Sequence, residues 1–172
     1  MLHSEKIEYQ NPLKANQIII LTRNANGSIL QRAASTIELM SELVAYVDGG
    51  CLGNPGPSGI GVVIAGSESG PVRIAKWIGH QDNNVAEYAA LMEALQYAVS
   101  LKARKLHVFS DSQVVVRQMT GEYRCRSPRL YSLHWTCRKL ARCLTFSISY
   151  VPRADNAEAN RLAQSALRRR AN

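Results

Sequence analysis

Three carboxylates in this chain stand where secondary-structure elements meet. Asp48 closes the apolar run LVAYV, Glu87 opens a long amphipathic stretch, and Asp111 follows the run KLHVFS. Carboxylates gathered at one place repel one another unless protons or cations intervene, and hard cations such as Mg²⁺ favour oxygen ligands of this kind. A divalent-metal site is the chemistry this trio offers. Each residue also has a plainer use. Asn84-x-x-Glu87 has capping-box spacing, Asp111 fits an ordinary helix N-cap, and Asp48 precedes turn-forming glycines.

The surrounding pattern says how the three could be brought together. LVAYVDGG, GIGVVIAG and PVRIAKWIG are strand-like runs separated by Gly/Pro/Ser turns too short for crossover helices, which predicts an antiparallel meander. The period then changes, and Val85, Tyr88, Ala89, Met92 and Leu95 mark a long helix. A strand KLHVFS leads into a helix DSQVVVRQM. The polar segment TGEYRCRSPR precedes a helix over 130–144, a strand LTFSISYV and a last helix over 156–167. Ala159, Leu162, Ala163, Ala166 and Leu167 form the buried stripe of that last helix. The expected fold class is α/β, a five-stranded mixed sheet with a meander followed by parallel strands, flanked by helices. A crossover through the first long helix would set the strand of Asp48 beside that of Asp111.

Length and charge frame this domain. The chain has 172 residues, enough for one domain of about 100–200 residues and an appendage. Residues 1–42 read as an N-terminal extension, 43–169 as the main domain and 170–172 as the end of a basic tail. In the extension, IIILTRNANGSILQRAA reads as two strands around an Asn-Gly turn, residues 1–17 as polar and irregular, and 35–42 as a short helix or linker. The extension holds four Lys/Arg and four Asp/Glu, so the net charge of +8 belongs to residues 43–172, with 17 Lys/Arg against nine Asp/Glu. A basic domain points to a polyanionic partner such as nucleic acid. The four cysteines lack zinc-site spacing, no secretory signal is read, and IIIL is too short to cross a bilayer. A cytoplasmic protein with reduced thiols and no membrane association is expected.

The motifs DGGCLGNPGPSGIGVVI, NNVAEYAAL, FSDSQVVVRQM and VPRADNAEANRLAQSAL, in that order, closely resemble the type 1 ribonucleases H, in the bacterial and archaeal-like form. These enzymes cut the RNA strand of RNA/DNA hybrids, leaving 5′-phosphate and 3′-hydroxyl ends. The resemblance covers about residues 43–168. It implies an RNase H-like fold, an RNA/DNA hybrid as partner, and two Mg²⁺ or Mn²⁺ ions with substrate bound. By position, Asp48, Glu87 and Asp111 match the first three acidic metal ligands, and Asn160 stands where a fourth aspartate is expected. Gly53, Asn54, Asn83, Asn84 and Gln113 match groove-reading residues, placed to meet the ribose 2′-OH that separates RNA from DNA. Cys51 stands where serine is common. A monomer without a dedicated protein partner is expected.

Three departures accompany the resemblance. Asn160 keeps a carbonyl oxygen for a metal but loses the charge. It is open whether the protein works with an Asp-Glu-Asp-Asn set, is a trapped active-site variant, or binds hybrids without cutting them. No histidine follows His134, although some family members place one before the last helix. Only about ten residues stand where other members insert a basic protrusion, so Arg124, Arg126 and Arg129 are expected to hold phosphates, with Arg117, Arg138, Lys139, Arg142 and the tail Arg168 to Arg170 as further candidates. Trp135, four residues after Tyr131, reads as core or groove wall. A more distant alternative is a DNA nuclease of the same superfold.

Overall fold

A computed structural model describes residues 7–10, 17–23, 29–35, 42–67 and 70–168. The chain divides into two compact units, Met1–Ser41 and Glu42–Asn172. In the first unit, β1 (Ile7–Gln10), β2 (Gln17–Arg23) and β3 (Ile29–Ser35) form an antiparallel sheet in the order β1-β2-β3. The two expected strands are β2 and β3, in register from Gln17 opposite Ser35 to Arg23 opposite Ile29. β1 corrects the irregular reading of residues 1–17. Its four residues are too few to show a period, and it exists by pairing with Ile18–Leu21. The Asn26-Gly27 turn and the linker at 36–41 lie outside the described residues, as do the tail residues 169–172.

The second unit is built on a five-stranded sheet of order β6-β5-β4-β7-β8. β4 (Glu42–Cys51), β5 (Gly56–Ala65) and β6 (Val72–Gln81) are the antiparallel meander, and β7 (Lys105–Ser110) and β8 (Thr145–Tyr150) add in parallel beyond β4. Helix α1 (Asn83–Ser100) makes the crossover from β6 to β7. It is followed by α2 (Gln113–Thr120), α3 (Pro128–Ala141), a 3-10 turn (Arg153–Asn156) and α4 (Ala157–Arg168). The order of elements is the one read from periodicity.

Alternation along β4 divides the layers. Leu43, Ala45 and Val47 face the core that contains Tyr88, Leu91, Leu95, Leu106 and Val108. Tyr46 lies on the other face, stacked on Phe109 of β7 at 5.0 Å between ring centres. The helices seat directly on the sheet at glycines. A Cβ on Gly61 would overlap the carbonyl of Ala159 in α4, and one on Gly49 would overlap the backbone of Ala86 and Glu87 in α1. Ala159, Ala163 and Ala166 complete the close α4 contact and are buried. These two seats fix how far α1 and α4 stand from β4 and β5, and hence the position of every side chain considered below. Among the described residues no helix is long and apolar enough to cross a membrane.

Candidate active site

β4 and β7 run parallel, with Val47 opposite Ser110. The next residue on each strand path is therefore an aspartate, Asp48 and Asp111, and the two come together at one end of the sheet. Glu87 arrives from α1 through the bare backbone of Gly49, whose N–H donates to Glu87 Oε2 at 3.2 Å. One carboxylate oxygen from each of Asp48, Glu87 and Asp111 lies within 4.8 Å of the others. Asp48 and Glu87 are buried, at 3% and 7% exposure.

The simpler roles of Glu87 and Asp111 belong to other residues. The N-cap of α1 is Asp82, whose carboxylate accepts from the Val85 amide at 3.2 Å, so the expected Asn84/Glu87 capping box does not form. Ser112 caps α2 by accepting from Val115 N at 3.4 Å, which releases Asp111. Glu158, in the first turn of α4, pairs with Arg73 at 2.7 Å.

Burial works against ionisation here. The Asp48 carboxyl is pushed up to about 6, first by burial and then by the charge of Asp111, against a smaller downward pull from Arg153. Glu87 is raised well above the usual carboxylate range by burial and by Asp48 and Asp111, partly offset by the Gly49 amide. An all-oxygen donor set with this strained balance fits a hard divalent cation, which would relieve the repulsion.

Two asparagines tie the set together. Asn156 is 1% exposed, and its Nδ2 donates to both Val47 O and Asp111 Oδ1 at 2.8 Å. It thereby anchors Asp111 to the backbone of the strand that carries Asp48. Asn160, one turn further, donates from Nδ2 to Asp48 Oδ2 at 3.2 Å, while its Oδ1 accepts from Gln164 Nε2 at 2.8 Å. Asn160 is thus against Asp48, with its amide nitrogen towards the carboxylate. Arg153, in the 3-10 turn, places Nη1 3.9 Å from Asp111 Oδ2.

The cluster opens into a groove of about 500 Å³ lined by Asp48, Gly50, Cys51, Asn83, Glu87 and Arg153, among others. Residues 46–166 match the protein family described as reverse transcriptase-like. The chain is 38% identical to the solved RNase H1 of the archaeon Halobacterium salinarum, covering 73% of this chain and 97% of that one, with a TM-score of 0.69. It belongs to the ribonuclease HI family. A second ribonuclease H1 structure, LC11-RNase H1 in complex with an RNA/DNA hybrid, is 32% identical, covers 76% of this chain and 99% of that one, and has a TM-score of 0.69. The bifunctional protein Rv2228c of Mycobacterium tuberculosis is 39% identical over 129 residues, 73% of this chain, and the match spans only 35% of that relative's length.

Within this ribonuclease HI fold the other sequence candidates separate into groups. Asn54 and Asn83 meet, with Asn54 Oδ1 accepting from Asn83 N at 3.1 Å. Gly53, next to Asn54 in the chain, has a φ of 81°. Cys51 Sγ lies 3.8 Å from Asn83 Oδ1. Asn84 and Gln113 are exposed, the latter at the first turn of α2. Arg124 and Arg126 are exposed on the segment before α3, and Arg129 reaches Asp82 at 3.3 Å, next to Asn83. His134 and His107 have packing roles. His134 lies edge-on to Tyr88, and His107 Nδ1 is 2.6 Å from Ser147 Oγ.

Sequence reasoning missed Arg153 and Asn156. Arg153 was legible only as one of many arginines. Asn156 looked like the start of a helix, because its two partners are 45 and 109 residues away in sequence. A core position for Trp135 is overturned. It is 54% exposed and Tyr131 62%, since i+4 spacing puts both on one face without saying which face is buried.

Proposed function

We propose that this chain is an endoribonuclease that hydrolyses the RNA strand of RNA/DNA hybrids. The observation that carries the reading is the Asp48/Glu87/Asp111 cluster, with Asp48 and Glu87 buried, opening into a groove lined by Asn83, whose backbone N–H donates to Asn54. Its likeness to a ribonuclease H1 solved with a hybrid supports the substrate class.

In this reading Asp48, Glu87, Asp111 and Asn160 hold two Mg²⁺ or Mn²⁺ ions. Bound there, divalent ions supply Lewis-acid stabilisation of the scissile phosphate and a water acidic enough to attack at neutral pH. The protein's own part is positional. The Gly49 amide fixes Glu87, Asn156 fixes Asp111, and Arg153 offsets charge at the mouth of the cluster. Gly53, Asn54, Asn83, Asn84 and Gln113 line the path of the minor groove and read the ribose 2′-OH. Arg124, Arg126 and Arg129 hold phosphates beyond it. Residues 43–169 form the catalytic domain of a cytoplasmic monomer.

A second reading is a hybrid binder that does not cut. It is favoured by one observation, that Asn160 Oδ1 is engaged by Gln164 rather than turned towards the carboxylates. Cleavage of an end-labelled hybrid by the protein and by Asn160→Asp, in Mg²⁺ and in Mn²⁺ with a duplex DNA control, separates the two. Cutting of the hybrid alone by the unsubstituted chain supports the nuclease. Cutting only by the Asp variant supports the binder.

A further inference from the structure

The outer face of α3 carries large aromatic side chains that the core does not use. Tyr131 and Trp135 are 62% and 54% exposed, while Leu130 and Cys137 on the inner face are buried in the core. Lys139 Nζ lies 4.6 Å from the centre of the Trp135 ring. Tyr131, Trp135 and Lys139 thus follow one another at i+4 spacing, along a stripe about 12 Å long.

The charge of the chain segment that carries this stripe is one-sided. Residues 112–143 hold seven Lys/Arg and a single Asp/Glu, Glu122, and so account for most of the chain's net charge of +8. Arg138 lies on the adjoining flank of the helix, its Nη1 donating to Met119 O at 3.2 Å. α3 also begins beside Asn83, which lines the groove. Arg129, two residues before Tyr131, pairs with Asp82, the residue preceding Asn83.

Exposed rings set among cations have the chemistry of a single-strand binding surface. The rings stack on unpaired bases of any sequence, and the cations follow the phosphates. A duplex offers no free base faces to such rings, and a protein partner would leave the excess of cations without counter-charges. We propose that Tyr131 and Trp135 bind a single-stranded extension of a hybrid seated in the groove. The inference rests on the hybrid reading for what occupies the groove.

The test compares binding in EDTA of a blunt RNA/DNA hybrid and of the same hybrid with a single-stranded DNA extension of about six nucleotides at one end or the other. The full chain, Tyr131→Ala/Trp135→Ala and Trp135→Phe are each titrated by fluorescence anisotropy. An extension on one end is expected to tighten binding about tenfold, as stacking of one or two bases would. The double alanine variant should lose that gain, Trp135→Phe should keep most of it, and blunt-hybrid binding and cleavage in Mg²⁺ should be unchanged in both. Equal affinity for blunt and extended hybrids overturns the proposal. So does a dimer in sedimentation that Trp135→Ala disperses, which would assign the stripe to a second copy of the chain. Failure of the unsubstituted chain to cut the blunt hybrid in Mg²⁺ counts against the nuclease reading instead, because the stripe is read without metal.

Discussion

Asn160 faces Asp48 through its amide nitrogen, Nδ2 to Oδ2 at 3.2 Å, while its carbonyl oxygen accepts from Gln164 at 2.8 Å. The same side chain offers a metal only that oxygen. For Asn160 to act as a ligand the amide must turn over, which breaks the Gln164 bond and leaves the carbonyl free.

Gln164→Leu is therefore expected to lower the Mg²⁺ concentration for half-maximal cleavage. One exposed neutral hydrogen bond is worth about 1 kcal/mol, or up to about fivefold. A Mg²⁺ titration of hybrid cleavage reads this directly, and an unchanged midpoint would mean that Asn160 does not ligate through Oδ1.

Gly49 holds Glu87 in place by having no side chain. Gly49→Ala would force its methyl into the backbone of Ala86 and Glu87, so α1 must withdraw from β4. A loss of about 1–3 kcal/mol in urea unfolding is expected from this overpacking, together with weakened Mg²⁺ binding by calorimetry. Full metal affinity in a destabilised variant would detach the seat of α1 from the site.

Asp48 gives a pH dependence with a definite sign. Its carboxyl is raised to about 6, mainly by burial and by Asp111, so without metal its ionisation disfavours the folded state. Stability contributed by this group is complete below the ordinary carboxylate range and is lost as pH rises through about 6. Asp48→Asn should stabilise the metal-free protein by on the order of 2 kcal/mol at pH 7.5 and have no such effect near pH 3.5. Thermal unfolding in EDTA at the two pH values checks this, and equal shifts at both would contradict it.

Much of this site was visible before the fold was known, for a physical reason. Apolar periodicity places Glu87 near a helix start and Asp111 just past a strand, and one crossover helix permits the β4–β7 adjacency of the sheet, whereas Asp48, read as a strand end, lies inside β4, which continues to Cys51. What stayed hidden depends on partners distant in sequence. The caps fell to Asp82 and Ser112 rather than to Asn84 and Asp111, and shifts of one or two residues are below the resolution of a periodic pattern. Asn156 gains its role only when β4 and β7 converge beneath it. A core position for Trp135 failed because helical spacing identifies a face but not its neighbour.

Arg124 and Arg126 are exposed on the segment leading into α3, and Arg129, in its first turn, pairs with Asp82 next to Asn83. Replacing all three with alanine should weaken hybrid binding and reduce the slope of log K against log salt by up to about 2–3, since each phosphate that is no longer neutralised removes about 0.9. An unchanged slope would remove these arginines from the footprint.

The most direct test of the central claim is single-turnover cleavage of an end-labelled RNA/DNA hybrid in Mg²⁺ by the protein and by Asp48→Asn, with the product ends identified. The protein is expected to cut the RNA strand, leaving 3′-hydroxyl and 5′-phosphate ends, and Asp48→Asn to bind the hybrid but cut it at least about 10³-fold more slowly, the loss of several kcal/mol of metal-assisted stabilisation. Cleavage that survives in Asp48→Asn, or a hybrid bound and left intact by the unsubstituted chain, would contradict it.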